Sequence, residues 1–263
     1  MVVVSPSLIY KHVNSSPLLS KAFNLLENDD EVQELIRMSN VIAVTRLKYN
    51  DHGLIHARIV SGTALELFTS LVKRGVQPTT LRDGTTHSLD EAKLIVLLAS
   101  YLHDVGNAVH RTGHEFVGAL IAKDILDRIL PQLLADYPPK RLYAIRQEVM
   151  HAIYATEYNV QCLTTEAGVV KISDGLDMSE GRARAPYKLG KRDIHAVSAL
   201  SIKRVEVSEG SSRPIKITVF MDELAGIFQV EEVLMPKIKT SGLEEHLEVY
   251  VETPREYRKY FPK

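Results

Sequence analysis

The chain is predicted to be mainly α-helical, with a small α+β unit at its C-terminal end. Three observations predict this. Between residues 18 and 190, apolar side chains recur at three- and four-residue spacing in a series of stretches. Two of these open on a Ser/Thr-x-x-Glu pattern, Ser88 with Glu91 and Thr112 with Glu115, which reads as a capping box. Past residue 190 the period changes to alternation, at 198–207 and 214–221, around the turn-like Glu209-Gly210-Ser211-Ser212. Residues 1–190 therefore read as a helical domain. Residues 191–263 read as a small α+β domain of about three strands and one helix.

Taken in order, residues 18–47 carry Val32, Leu35, Ile36, Ala43 and Leu47 on one face, with Asp29, Asp30 and Glu31 placed to favour a helix start. Tyr49-Asn50-Asp51-His52-Gly53 breaks the pattern. A second helix puts His56, Ile59, Val60, Thr63, Ala64, Leu67 and Leu71 on its inward stripe and ends at Arg74-Gly75. Residues 77–87 are a polar loop. The third helix is apolar on nearly every side from Leu94 to Leu102, which places it in the core, and Gly106 reads as its stop. A fourth runs from Gly113 to Leu130, closed by Pro131. Pro138-Pro139 introduces a fifth, and Thr164 or Thr165 caps a short sixth. In the tail, 223–239 reads as helix and 247–251 as a last strand.

Composition narrows the function classes. The chain has 263 residues, 45% hydrophobic and 25% charged, with a formal net charge of -1. Nothing in that balance favours nucleic acid or an anionic membrane. The one cysteine, Cys162, excludes an internal disulfide framework and a thiolate metal cluster. The start lacks a basic n-region, and the longest apolar run, 94–99, is too short to span a bilayer. These features predict a soluble, cytoplasmic protein.

Chemistry concentrates where the core helix ends, at Leu102-His103-Asp104-Val105-Gly106-Asn107. A His-Asp pair closing an apolar helix is costly unless something binds it. His56, His114, His151 and Asp174 also fall in or at the ends of predicted helices with apolar neighbours. For any one histidine alone, a hydrogen-bonded core residue is the plainer account. Jointly, four histidines and two aspartates suit Mn, Fe, Co, Ni or Zn, with Mg also open, and the missing thiolates argue against a structural zinc site.

The order His56, then His103-Asp104, then Asp174 resembles the HD superfamily of metal-dependent phosphohydrolases, over roughly residues 35–190. His56-Ala57-Arg58-Ile59-Val60 is similar to the segment of the first His. Val170-Lys171-Ile172-Ser173-Asp174-Gly175-Leu176-Asp177 is similar to that of the last Asp. His114 and His151 resemble the two further histidines of binuclear members such as the HD-GYP branch. The resemblance implies two metals per chain, one on His56, His103 and Asp174, the other on His114 and His151, with Asp104 bridging. It further implies a metal-bridging hydroxide attacking a phosphoester or phosphoanhydride, with a small phosphorylated substrate of nucleotide type. Asn107 stands where the HD-GYP branch has Lys, and its Gly-Tyr-Pro segment is missing. The text is instead similar to an archaeal-type predicted HD hydrolase group that runs into a Gly-Arg-Ala-Arg segment.

Around this set, Lys171 either meets a substrate phosphate or pairs with a ligand carboxylate. Arg182 and Arg184 either grip phosphate or belong to a solvated loop. Arg111 lies between the pair and His114 in the sequence, which makes it a candidate to face the site. His110 reads as an outer partner of the metal site, His52 as lining its mouth or as a turn residue, and His12, His87 and His246 as surface. Two rival functions stand beside the hydrolase. One is a di-iron oxygenase, for which Glu148-x-x-His151 supplies one copy of a bundle motif. The other is a non-catalytic metal or nucleotide sensor. The tail is expected to mediate homo-oligomerisation.

Overall fold

A computed structural model describes residues 1–182, Tyr187 and residues 193–262. It begins with a two-residue strand, β1 (Val2–Val3), and a short helix, α1 (Leu8–Val13). Ser16 opens α2 (Pro17–Glu27) by accepting the Leu19 N–H, and Asp29 opens α3 (Asp30–Asn40) by accepting that of Val32. The single helix expected over 18–47 is thus two. The acids read as its start cap the second helix. A π-helical turn, Val41–Arg46, then carries the chain into the loop that holds His52.

The stretch after that loop follows its periodicity, as α4 (Leu54–Lys73). A one-turn α5 (Thr79–Arg82) interrupts the polar loop. The cap of α6 (Leu89–Leu102) is formed by the residues of its box: Ser88 Oγ accepts the Glu91 N–H at 3.2 Å, while Glu91 Oε2 reaches back to the His87 N–H, one residue before the cap, at 3.1 Å. The Thr112 box does not form. Gly113, in the left-handed region at φ 72°, precedes α7 (His114–Leu133), which runs on through Pro131. Pro139 starts α8 (Pro139–Tyr154), and Thr164 caps α9 (Thr165–Leu176).

Gly106 does not end α6 in the expected manner. The helix stops at Leu102, and Gly106 sits in a 3-10 turn, Val105–Ala108, without a positive φ. Glycine is needed there for space. A Cβ would fall 2.0 Å from the His114 carbonyl oxygen and 2.5 Å from the Gly118 nitrogen. The turn that carries the His-Asp pair therefore lies directly on the first turns of α7.

Past 190 the structure holds α10 (Ile194–Leu200), where the start of a strand was expected, then β2 (Ile202–Glu209) and β3 (Ile215–Met221). The helix expected over 223–239 is broken into α11 (Ile227–Gln229), a π-helical turn (Val230–Leu234) and α12 (Met235–Lys239). β4 (Leu247–Glu252) and β5 (Tyr257–Phe261) follow. The sheet has five strands in the order β1-β2-β3-β4-β5, where about three were expected. β1 and β5 are short edge strands with little alternation to announce them. Neighbours are antiparallel except β3 and β4, which pair in parallel with Ile217 opposite Val249. A parallel pair requires a crossover. Here the crossover contains the broken helical run, and it lies against α9. α6 packs against α2, α4, α8 and α9, and one apolar cluster runs from Ile9 to Val251. Among the described residues, no helix is long and apolar enough to cross a membrane.

Candidate metal centre

Four helix ends meet at one point. His56 comes from the first turn of α4, His103 and Asp104 from the end of α6, His114 from the start of α7, and Asp174 from the last turn of α9. Each histidine has its Nδ1 occupied by an acceptor. His103 Nδ1 donates to the Ser100 carbonyl at 2.8 Å, His56 Nδ1 to Asp177 Oδ2 at 2.7 Å, and His114 Nδ1 to the Arg111 carbonyl at 3.0 Å. A carbonyl only accepts, so the ring proton is fixed on that side and Nε2 is left to turn inward.

The inward atoms converge. His56 Nε2 lies 3.2 Å from His103 Nε2, 3.2 Å from Asp104 Oδ2 and 3.2 Å from Asp174 Oδ1. His103 Nε2 lies 3.5 Å from Asp104 Oδ2 and 3.6 Å from Asp174 Oδ1. Asp104 faces two ways: Oδ2 toward these two rings and His52 Nδ1, the last at 2.5 Å, and Oδ1 toward His114 Nε2 at 3.3 Å and Asn107 Nδ2 at 2.8 Å.

Two ring nitrogens and two carboxylate oxygens, nearly all buried, form a nest of acceptors that calls for a positive charge. Burial and the Arg182 guanidinium oppose charge on His56, but Asp104, Asp174 and Asp177 outweigh them and push its pKa up to about 10. Burial likewise opposes charge on His114, yet Asp104 and Glu115 raise it to about 9. Against the cost of burial, His52 and His103 hold Asp104, and Lys237 holds Asp174, well below the usual carboxylate range. His52 goes the other way: burial above all brings it down to about 3. The donor set fits a divalent transition metal, with N and O ligands and no thiolate.

Some expected residues are elsewhere. His151 is not brought to the centre. It sits in the last turn of α8, and its Nε2 accepts the Leu163 N–H at 3.1 Å, which secures the following loop. Lys171 is fully buried on a different side of α9. Its ammonium donates to the Val160 carbonyl at 2.6 Å and the Tyr158 carbonyl at 3.5 Å, so it meets neither the cavity nor a ligand carboxylate. The ion pair expected of it is made by Lys237, 2.7 Å from Asp174 Oδ2. Arg182 does reach the site, 3.2 Å from His52 Nδ1 and 3.1 Å from His56 Nε2, and it is anchored by the Asp51 and Asp177 carbonyls. Arg184 lies outside the described residues. Arg111 lies 3.1 Å from His114 Nε2 and donates to Asn107 Oδ1 at 3.2 Å. His110 accepts the Thr112 N–H within its own loop.

Three residues have roles that the sequence reading did not assign. Asp177 orients His56, and its place three residues after Asp174 was the available signal. Asn107 braces Asp104. Lys237 had no signal, since it stands in a segment without a motif. A cavity of about 500 Å³ opens over the centre, and His52, Arg111, His114, Asp174, Arg182 and Lys237 are among the residues that line it.

A family model described as HD domain matches residues 53–179, the span that contains His56, His103, Asp104 and Asp174. The chain belongs to the HD superfamily of metal-dependent hydrolases. It is 41% identical over 248 residues, 94% of each chain, to an uncharacterized protein of Methanocaldococcus jannaschii. No solved structure matches the chain.

Proposed function

We propose that the protein is a metal-dependent phosphohydrolase acting on a small, nucleotide-type phosphoester or phosphoanhydride. The observation that carries this reading is the conjunction of an acceptor nest with three cations, Arg111, Arg182 and Lys237, that line the cavity above it. His56, His103, Asp104 and Asp174 would hold a divalent ion of Mn, Fe, Co, Ni or Zn, or Mg. Such an ion supplies Lewis acidity and a water of lowered pKa. A second position would draw on Asp104 Oδ1 and His114. With His151 turned away, it has fewer donors than the first, so one firmly held cation per chain is the expected count. Arg111 and Arg182 present guanidinium groups suited to phosphoryl oxygens. Asn107 and His52 keep the Asp104 carboxylate in place. The oxygenase reading loses support, because His151 faces the Leu163 amide and not the centre.

The test is metal analysis of protein purified without added metal, followed by phosphate release from nucleoside phosphates, cyclic nucleotides and dinucleoside polyphosphates. Stripping the metal should abolish hydrolysis, and Mn or Co should restore it. Asp104→Ala should lower turnover by more than ~100-fold, since even outer partners of metal ligands are worth that order. His151→Ala should keep its metal. Oxygen uptake, or binding without hydrolysis of any substrate, would refute the proposal.

A further inference from the structure

Of the three cations at the cavity, Lys237 is the one that pairs directly with a carboxylate of the nest. Lys237 belongs to α12, far beyond the residues matched by the family model, yet its ammonium is buried beside Asp174. It donates to Asp174 Oδ2 at 2.7 Å and to the Thr156 carbonyl at 3.3 Å, and lies 4.5 Å from the centre of the Tyr158 ring. The neighbouring helix is shaped to admit it. A Cβ on Gly175 would stand 3.0 Å from Lys237 Cδ, so the residue after Asp174 leaves room for the lysine stem. The partners divide the carboxylate: Oδ2 faces the lysine, Oδ1 faces His56 and His103.

We propose that Lys237 is a positioning residue that restricts Asp174 to one metal-facing oxygen and keeps the centre from binding its cation too tightly. This rests on the metal-centre reading above. Removing the ammonium has two effects of one sign. It takes away a like charge next to a divalent cation, and it frees Oδ2 to chelate. Asp174 itself stays in place, because the last turn of α9 holds its backbone.

Mn²⁺ titration of the full chain by calorimetry tests this, with Lys237→Met and Lys237→Arg beside the wild type. Lys237→Met keeps the stem and loses the charge. It should bind Mn²⁺ more tightly, by roughly tenfold, the order expected for one charge in a partly screened site. Lys237→Arg keeps the charge and should stay within about threefold of the wild type. A merely structural role predicts weaker binding on substitution, so the direction of the change discriminates. Unchanged or weaker binding in Lys237→Met overturns the proposal while leaving the metal centre standing. A wild-type chain that takes up no Mn²⁺ overturns both, and is recognised by that alone. Thermal melting of the metal-free variants confirms that each is folded.

Discussion

Single side chains far from the centre also carry measurable work. His12, read as a surface residue, is in fact buried, with Nε2 bonded to Glu66 Oε2 at 2.8 Å, and Lys11 adds a second bond at 2.7 Å. The bond to His12 is the main reason the Glu66 pKa falls from 4.5 to about 2. Folding thus favours the ionised carboxylate. That contribution is fully present above the unfolded value and is lost as pH falls toward about 2. Glu66→Gln should be less stable at pH 7 by ~1 kcal/mol. It should also lose less further stability between pH 4.5 and 2, the span of the Glu66 shift. Urea midpoints at both ends of that span check this, and parallel losses in the two proteins would contradict it. At the same scale, the meeting of His103 and Asp104 with other polar side chains was legible because a His-Asp pair on an apolar helix is anomalous without a partner. Lys171 misled because three-residue spacing fixes a helix face only approximately. Its ammonium found two carbonyls of the 155–163 loop first.

Helices were legible where caps and periodicity agreed, as in α6, α8 and α9, and less so where one cue stood alone. Thr112-x-x-Glu115 has the letters of a capping box, yet the positive φ of Gly113 sets the start of α7 instead. The run over 223–239 has helical spacing, but it is interrupted by π-helical geometry before Pro236. Gly106 shows how a correct residue was given the wrong reason. It serves close approach between the turn Val105–Ala108 and α7, and not a left-handed stop. Gly106→Ala must push backbone apart, because the contacting atoms are a carbonyl oxygen and an amide nitrogen. The cost should be ~3 kcal/mol, a fall in melting temperature of roughly 10 °C. His103 and His114 would separate with it, so metal affinity should fall in the same variant. A melting temperature within about 2 °C of the wild type would show that the turn yields without cost.

Across the whole molecule, the change from helix to strand character near residue 190 was plain from the period alone. What the sequence could not reveal is how much crosses that line. Val2 pairs with Val207, a Cβ on Gly168 would strike the Ser241 carbonyl oxygen at 2.5 Å, and Lys237 reaches Asp174. Contacts between residues so far apart leave no local trace in a pattern. A chain ending at residue 190 should therefore lose the cooperative unfolding transition of the full chain and its Mn²⁺ uptake. Calorimetric unfolding and the titration above measure both. A truncated chain that melts sharply and binds Mn²⁺ as the full chain does would show the two parts to be separable.

The place of Lys237 has a consequence for descent. A module whose chemistry is complete in itself can be joined to new neighbours by recombination. Here a residue of the tail pairs with a carboxylate of the centre, and a glycine in the core helix makes room for it. A lineage that exchanged the tail would have to replace that pairing or compensate for its loss. Core and tail are thus expected to be inherited together. The archaeal relative, alike over 94% of both chains and not over the histidine-bearing core alone, fits that expectation.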